Sequence, residues 1–352
     1  MQAALMKNPR NDFWAITTYF NLTNGSRRRN NYHCFRRHLS VPLLTVEWHP
    51  DRNFQLADGD ADILLQIGGG DLMWQKERLL TMAVAALPDH VKYVAWIDCD
   101  VLFENPNWTG EATEALSDNR VVQLFKEIAF PDDQESARLV ASPTLQLDCP
   151  ALRSLPTRPS FLGVYKQVGT DVAPFDLGQR TQSSALSNAH IMQRPGHGFA
   201  WAAQISFLRE IGLYDRCIVG SGDMHFCYGV ADLGQEYIQS QIKIGLGFYG
   251  DCPSYRHWAS RAAEACAGRS GCLDGRVLHL FHGEMRDRQY RLRIDNLLPF
   301  ALDLDEDICA GEGHPWSWKR DRSALNAYFL KYMRDRNEDG QHPPEVGVAA
   351  NT

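Results

Sequence analysis

The feature that most constrains the fold is an alternation of short apolar runs with helical segments through the first third of the chain. The segments YHCFRRHL (32–39) and MWQKERLLTMAVAALP (73–88) carry apolar residues at helical spacing. Strands that alternate with helices predict an α/β fold with one mixed, mostly parallel sheet flanked by helices. The four runs that predict buried strands are FWAITTYF (13–20), PLLTVEW (42–48), DILLQIGG (62–69) and YVAWIDCDVLF (93–103).

The rest of the chain adds weaker elements and long loops. VVQLFKEIAF (121–130) and RVLHLFHG (276–283) predict strands, and FAWAAQISFLREIG (199–212) and SALNAYFLKYMRDR (323–336) predict helices, the second of them C-terminal. Residues 131–190 are rich in Pro, Ser, Asp and Gln without clear periodicity, which predicts long loops.

Composition limits the possible function classes. Residues 1–340 are expected to form one domain and residues 341–352 a disordered tail. The net charge of -7 argues against bulk nucleic-acid binding, although it leaves room for a local basic patch. No apolar run approaches the roughly 18–20 residues of a membrane span. With nine scattered cysteines and no signal-peptide pattern, we expect free thiols and an intracellular, cytoplasmic location, in the host cell if the protein is viral.

Two carboxylates, Asp98 and Asp100, follow the apolar run that begins at Tyr93. Residues i and i+2 of a strand point to the same side, so we expect the two side chains to converge. Close carboxylates repel unless a cation meets them, and hard oxygen ligands suit Mg²⁺ or Mn²⁺. A pair that only caps the following turn is the alternative.

The stretch IVGSGDMHF (218–226) places Asp223 after two glycines, Gly220 and Gly222. Glycines allow close backbone approach, and a carboxylate in such a place can act as a general base toward a bound acceptor. A plain surface turn is the alternative reading.

Two basic stretches are candidates for phosphate binding. In HLFHGEMRDRQYRLR (279–293), His279 and His282 are possible metal ligands, and Arg286 opens a run of arginines. The second stretch, SRRRNNYHCFRRH (26–38), follows the first predicted strand, where α/β proteins commonly hold nucleotides. Solvated helix faces are the alternative for both.

A zinc site is a weaker possibility. Cys252, His257, Cys266 and Cys272 are chemically suitable ligands, but their spacing is not that of a familiar zinc module.

Taken in order, these segments resemble the GT-A glycosyltransferases, which depend on nucleotide-sugar donors. The resemblance is carried by four segments in order: WQKERLLTMAVAALP, YVAWIDCDVLF, GHGFAWAAQISFLREIGLYDRCIVGSGD (196–223) and HLFHG. The third of them is similar to a galactosyltransferase-type acceptor segment. It implies a nucleotide-binding half at about 13–130 and an acceptor half at about 190–335. It also implies a divalent cofactor, Mn²⁺ or Mg²⁺.

The resemblance assigns roles to individual residues. Asp100 would ligate the metal, with Asp98 near the ribose or the metal, and His282, or else His279, would complete the metal shell. Asp223 would act on the acceptor, and its motif departs from the family by having Ser221 where a glycine is usual. The donor would be contacted by Thr17, Thr18, Arg27, Arg28, Arg29, Lys76 and Arg286.

The resemblance implies a metal-dependent hexosyltransferase with a UDP-sugar donor. The acceptor is open: a glycan, a small molecule, a protein or a modified DNA base. One alternative is an enzyme that glycosylates hydroxymethylated pyrimidines in DNA. A non-catalytic sugar- or nucleotide-binding module and a nucleotidyltransferase are further alternatives.

Overall fold

The predicted alternation of strands and helices is present in the first third of the chain. The computed structural model describes residues 12–144, 150–168 and 194–340. The first helix begins earlier than predicted, so the arginines after the first strand are helical. The elements are β1 (Phe13–Tyr19), α1 (Ser26–His38), β2 (Leu43–Trp48), β3 (Ile63–Ile67), α2 (Lys76–Ala86) and β4 (Tyr93–Ile97).

The later elements are shorter and more numerous than predicted. The segment up to residue 168 contains β5 (Val101–Phe103), α3 (Trp108–Asp118), β6 (Val121–Gln123), β7 (Glu127–Ala129), α4 (Asp133–Ala141), α5 (Pro150–Arg153), β8 (Thr157–Pro159) and α6 (Phe161–Val168). From residue 194 on, the chain contains β9 (Ala200–Gln204), α7 (Ile205–Ile211), α8 (Gly222–Val230), α9 (Gly234–Lys243), α10 (Gly247–Gly250), α11 (Pro253–Cys266), β10 (Ser270–Cys272), β11 (Arg276–His279), α12 (Leu292–Asp295), β12 (Ile308–Cys309), β13 (Ser317–Trp318) and α13 (Ser323–Asp335).

The α/β class and the mostly parallel central sheet are confirmed. Seven strands lie in the order β10-β6-β9-β4-β1-β2-β3. Only β9 runs against its neighbours, because it pairs antiparallel with both β4 and β6, whereas the other pairings in this sheet are parallel. Side chains of β1 alternate between two apolar clusters, with Ile16 in one and Ala15 in the other. Both faces of the central strands are therefore buried, as expected when helices cover a parallel sheet.

Two runs that the sequence predicts as single strands are each divided. The run 93–103 ends in the central sheet at Ile97 and resumes as β5, which belongs to a second sheet of order β5-β11-β7-β8. Likewise, 121–130 supplies β6 to the first sheet and β7 to the second. Periodicity does not reveal this division, because both halves of each run are apolar.

The helix predicted over 199–212 is wrong in its first half. Residues 200–204 form β9, which lies between β4 and β6, and its side chains alternate between the two core clusters: Ala200 in one, Trp201 in the other. The rings of Trp201 and Trp96 on the neighbouring strand stack with centroids 6.1 Å apart. Strand pairing and burial override the helical propensity of an alanine-rich segment.

The loops predicted for 131–190 are also wrong where the structure describes them, since α4, α5, β8 and α6 lie there. Residues 145–149 and 169–193 lie outside the described residues, as does the predicted disordered tail at 341–352. Among the helices that the structure does describe, none has the length and apolar character needed to cross a membrane.

Candidate active site

A cavity of about 230 Å³ is lined by residues at the carboxyl ends of β1 and β4. This edge of a parallel sheet is where ligands of α/β proteins bind. Seven of the lining residues are Lys or Arg, and the four acidic ones are Glu77, Asp98, Asp100 and Asp223. The cavity is therefore strongly charged, with both signs present.

Asp100, His279 and His282 converge at one end of the cavity. Oδ2 of Asp100 lies 3.2 Å from Nε2 of His282, and Oδ1 lies 3.5 Å from Nε2 of His279. The two Nε2 atoms are 3.2 Å apart. Asp100 lies in the turn between β4 and β5, His279 ends β11, and all three residues are buried. Two segments that are distant in sequence thus supply one group of ligand atoms.

The protonation state of this group favours metal binding. Burial, aided by the Arg288 guanidinium, lowers the pKa of His279 and of His282 to about 3, so both rings are neutral at neutral pH. Nη2 of Arg288 lies 2.8 Å from Nε2 of His282. Arginine only donates hydrogen bonds, so this Nε2 carries a lone pair and the ring proton is on Nδ1.

The dimensions of the group fit a metal ion. Ligand atoms about 2.1 Å from one ion at cis or tetrahedral angles are about 3.0–3.4 Å apart, close to the spacings of 3.2–3.5 Å found here. Oδ1 of Asp100 is buried without a hydrogen-bond partner among the described residues. Within residues 12–144, 150–168 and 194–340, this is the one group of three such side chains whose ligand atoms all lie within 4.8 Å of one another.

Asp98 lies outside this group and forms an ion pair with the Lys76 ammonium. Nζ of Lys76, at the start of α2, is 2.6 Å from Oδ1 of Asp98 and 3.2 Å from Oδ1 of Asp223. Burial alone would lower the pKa of Lys76, but Asp223 and Asp98 raise it well above its ordinary value, so the ammonium stays charged. Because β4 ends at Ile97, the two aspartates are in a turn and do not share a strand face as the sequence predicts.

Asp223 is in the first turn of α8, and its surroundings require glycine. A Cβ atom on Gly198 would lie 2.5 Å from Oδ2 of Asp223. Ser221, before the helix, has a φ of 76°, a left-handed conformation in which glycine is easier to accommodate. Burial raises the pKa of Asp223, and the Lys76 ammonium limits the rise. The result is a carboxylate more basic than usual that faces the cavity.

A second buried carboxyl, Glu77, lines the cavity beside Asp223. Burial, reinforced by repulsion from Asp223, raises the pKa of Glu77 to about 8, so it is predominantly neutral at pH 7. A Cβ atom on Gly222 would lie 2.4 Å from Oε1 of Glu77, which shows how closely α2 and α8 approach.

The structure brings some of the predicted donor residues to the cavity and leaves others away from it. Thr18, Arg28 and Lys76 line the cavity. Thr17 is buried in the sheet, where its hydroxyl donates to the carbonyl oxygen of Ile97 at 2.6 Å. Three predicted arginines do not line the cavity: Arg27, which pairs with Asp133, Arg29, which is exposed on α1, and Arg286, whose side chain is 72% exposed.

Sequence reasoning missed Glu77 and Glu338, and within the basic run that opens at Arg286 it did not single out Arg288 and Arg293. Arg288 and Arg293 belong to the same basic run as Arg286, but only the fold shows which arginines turn inward. Neither lies within ion-pair distance of a carboxylate in the part of the chain that the structure describes. Glu77 carries one signal, an acidic residue between Lys76 and Arg78 at the start of a helix whose remainder is mostly apolar. Glu338, largely covered behind His282, follows α13 in a polar stretch without any such signal.

The possible zinc site is not formed. His257 and Cys266 lie on α11, where a rise of about 1.5 Å per residue separates them by roughly 13 Å. Cys272 instead contacts the hydroxyl of Ser160 at 3.1 Å. Among the described residues, none of these cysteines belongs to a group of three metal-ligating side chains whose ligand atoms lie close together.

Comparisons with known proteins place glycosyltransferases among the similar structures. No protein-family model and no curated protein sequence matches the chain. It is similar to a variant of Drosophila β1,4-galactosyltransferase 7 in complex with manganese, UDP-Gal and xylobiose, at 12% identity and a TM-score of 0.29, with 63% of this chain and 62% of that chain covered. The chain therefore spans less than two thirds of that protein's length.

Two further similar structures cover more of the chain. One is TarS of S. aureus, at 9% identity and a TM-score of 0.33, covering 84% of this chain and 76% of that one. The other is the galactosyltransferase LgtC in complex with donor and acceptor sugar analogues, at 11% identity and a TM-score of 0.29, covering 95% and 98%. At these identities and TM-scores, activity has to be argued from the cavity itself.

Proposed function

We propose that this protein is a metal-dependent glycosyltransferase of the GT-A type. In this proposal it moves a sugar from a nucleotide-sugar donor, with UDP-sugars expected first, to a hydroxyl acceptor. The observation that carries the proposal is the convergence of Asp100, His279 and His282 in one cavity with a separate basic carboxylate, Asp223. The two groups suit the two tasks of the reaction, which are stabilising a diphosphate leaving group and accepting a proton.

The donor would bind at the end of the cavity that holds the three metal ligands. A divalent ion held by Asp100, His279 and His282 supplies positive charge that offsets the charge of a diphosphate. Arg28 and Arg288 line the same end and offer forked donors for phosphate oxygens. Lys76 would orient Asp98 for the ribose through their 2.6 Å ion pair.

The acceptor would bind at the Asp223 end. Asp223 is held by Lys76 and has the elevated basicity described above, which suits it to accept the proton of an attacking hydroxyl. The neighbouring Glu77, largely neutral at pH 7, can donate a hydrogen bond to an acceptor oxygen. Asp223 is thus proposed as the general base.

The ligand set favours Mn²⁺ over Mg²⁺. Mg²⁺ prefers oxygen ligands and retains its waters, whereas imidazole nitrogen suits transition-metal ions. Two of the three ligand atoms here are imidazole nitrogens. Mn²⁺ accepts both nitrogen and carboxylate ligands, so it is the first ion to test.

Positive charge without a carboxylate partner favours an acceptor that carries negative charge. Among the described residues, Arg288 and Arg293 line the cavity with no carboxylate within ion-pair distance. A metal-bound nucleotide-sugar adds no net negative charge, because the ion offsets the diphosphate. A hydroxymethylated pyrimidine within DNA is one acceptor with this property and stays as the second candidate function.

A screen of nucleotide-sugars tests the proposal. The purified chain is incubated with UDP-, GDP-, ADP- and CMP-sugars, with Mn²⁺, Mg²⁺ or EDTA, and release of free nucleotide is measured with and without acceptor mixtures. We expect nucleotide release with at least one donor in Mn²⁺ and background release in EDTA or with Asp100→Asn. Full turnover in EDTA would contradict the metal-dependent mechanism. Donor binding without turnover across all acceptor classes would favour the non-catalytic binding module.

A further inference from the structure

Glu338 is a carboxylate with an 11% exposed side chain, and its position behind His282 is not required by the assignments above. Its Oε1 atom lies 3.7 Å from Nδ1 of His282, on the ring edge opposite the one that faces Asp100. Nδ1 of His282 is buried and has no hydrogen-bond partner among the described residues. Glu338 is therefore the carboxylate toward which this unsatisfied nitrogen points.

The tautomer of His282 determines that the imidazole is the donor and Glu338 the acceptor in this contact. Because Nε2 of His282 accepts a hydrogen bond from Arg288, the ring proton is on Nδ1, the nitrogen that faces Glu338. An imidazole that ligates a metal through Nε2 commonly donates its Nδ1 proton to a carboxylate, which fixes the ring and makes Nε2 a better ligand. The atoms needed for that arrangement are in place.

Glu338 is also held ionised. Burial would raise its pKa, but Arg28 and Arg336 together hold the pKa of Glu338 well below its usual range. Nη1 of Arg28 lies 3.1 Å from Oε2, and Nη2 of Arg336 lies 2.8 Å from Oε1. Two guanidinium groups thus hold the Glu338 carboxylate beside the His282 ring.

The backbone around Gly283 allows the segment after α13 to approach His282. Gly283 has a φ of 91°, and a Cβ atom there would lie 2.8 Å from the carbonyl oxygen of Arg336. The next residue after Glu338, Asp339, accepts hydrogen bonds from the backbone N–H groups of Ser26 and Arg27, both at 2.9 Å. Residues 336–339 are therefore anchored between the start of α1 and the metal-ligand group.

We propose that Glu338 is a positioning residue for metal binding, which accepts the Nδ1 proton of His282 and thereby presents Nε2 to the ion. The inference rests on the proposed metal site. It extends the site to the segment that follows α13, and it links that site to Arg28 through the same carboxylate.

The test compares Mn²⁺ affinity in full-length variants by electron paramagnetic resonance and calorimetry. Loss of such a partner typically weakens metal affinity by about 10–100-fold, so we expect that loss for Glu338→Gln. Glu338→Asp, which keeps the charge but shortens the reach, should lie in between. Asp335→Asn is the control, because it removes one negative charge near the same end of the chain, where the side chain pairs with Lys331 at the surface, and it should stay within about twofold of the wild type.

The outcomes separate this inference from the function on which it rests. Wild-type affinity in Glu338→Gln, with Mn²⁺ bound to both proteins, would overturn the role of Glu338 alone. Failure of the wild type to bind Mn²⁺ would overturn the metal site and this inference together. If Glu338→Gln does not fold, ¹⁵N NMR of the histidine-labelled wild type, assigned with His282→Asn, decides the matter. A protonated Nδ1 supports the proposal, and a protonated Nε2 contradicts it.

Discussion

Nζ of Lys76 lies 2.6 Å from Oδ1 of Asp98, so an ammonium group, and not the two histidines, meets the first carboxylate of the Asp98–Asp100 pair. The same nitrogen reaches Asp223, 125 residues further along the chain from Asp98. Lys76 therefore connects the end of the cavity proposed for the donor to the end proposed for the acceptor. Asp98 and Asp100, which are separated by a single residue, contact different partners.

Replacement of Lys76 by glutamine should change the pH dependence of sugar transfer. The ammonium lowers the pKa of Asp223 against the effect of burial, so its removal lets that pKa rise further. A base with a higher pKa loses its proton at higher pH. The acidic limb of the profile of kcat/KM against pH should therefore shift to higher pH. An unmoved acidic limb, with transfer retained, would mean that Asp223 is not the titrating base.

Asp100→Asn should abolish metal binding and leave the fold intact. The side chain keeps its shape, but the amide loses the charge that draws a cation to the three ligands. We expect at least about a hundredfold loss of turnover, and no stabilisation by Mn²⁺ in thermal melts, where the wild type gains stability from the bound ion. The melting temperature in EDTA should not fall, because the substitution removes a buried carboxylate that lacks a full set of partners. A clear drop in EDTA would indicate a structural role instead.

Arg288→Gln should separate metal binding from donor binding. Arg288 donates a hydrogen bond to Nε2 of His282 and so occupies the lone pair that a metal ion would use. The positive charge of Arg288 would also repel the ion. Removing it should tighten Mn²⁺ binding by a few-fold and weaken nucleotide-sugar binding by about tenfold or more, since charge-assisted hydrogen bonds to phosphate are among the stronger ones. Calorimetry with each ligand in turn measures both effects. Arg286→Gln, on the exposed side of the same turn, is the control and should change neither.

Asp223→Asn should lower the rate of sugar transfer and leave the affinity for the nucleotide-sugar donor unchanged. General-base catalysis contributes about 10²–10⁴-fold, and we expect a loss of turnover in that range with nucleotide-sugar affinity nearly unchanged. Single-turnover transfer and donor titration give the two values. Loss of donor affinity would place Asp223 in the donor site, and normal transfer would leave the turn at 220–223 with a structural role only.

Glu77→Gln should stabilise the protein toward alkaline pH. Glu77 has a pKa of about 8 in the folded state and about 4.5 when unfolded, so the folded state binds more protons between these values. The contribution of Glu77 to stability is therefore complete below the unfolded pKa and is lost as pH rises through 8. Glutamine mimics the neutral acid at every pH. The melting temperature of the variant relative to wild type should rise from about pH 6 to about pH 9, and a constant difference would contradict the shifted pKa.

The alternation of apolar runs and helical segments was sufficient to predict the α/β class and the mostly parallel sheet. These features depend on local periodicity and on the burial of both sheet faces, and both can be read from residues close in sequence. The same patterns misplaced β9, because an alanine-rich segment is a strand only when β4 and β6 flank it. The same patterns predicted residues 93–103 as one strand, because an apolar run does not show that its two halves belong to different sheets.

The sequence by itself determined which residue types could do chemistry. It marked Asp98 and Asp100 after a buried strand, Asp223 among glycines, and two histidines three residues apart. Only the tertiary structure decided which of them meet. In the folded chain, Asp100 lies beside His279 and His282, whereas Asp98 pairs with Lys76. Arg288 lines the cavity, Arg286 is exposed, and Glu338 lies behind His282. The reason is physical: charges and lone pairs act over a few ångströms, and those short distances join side chains that are tens to hundreds of residues apart along the chain.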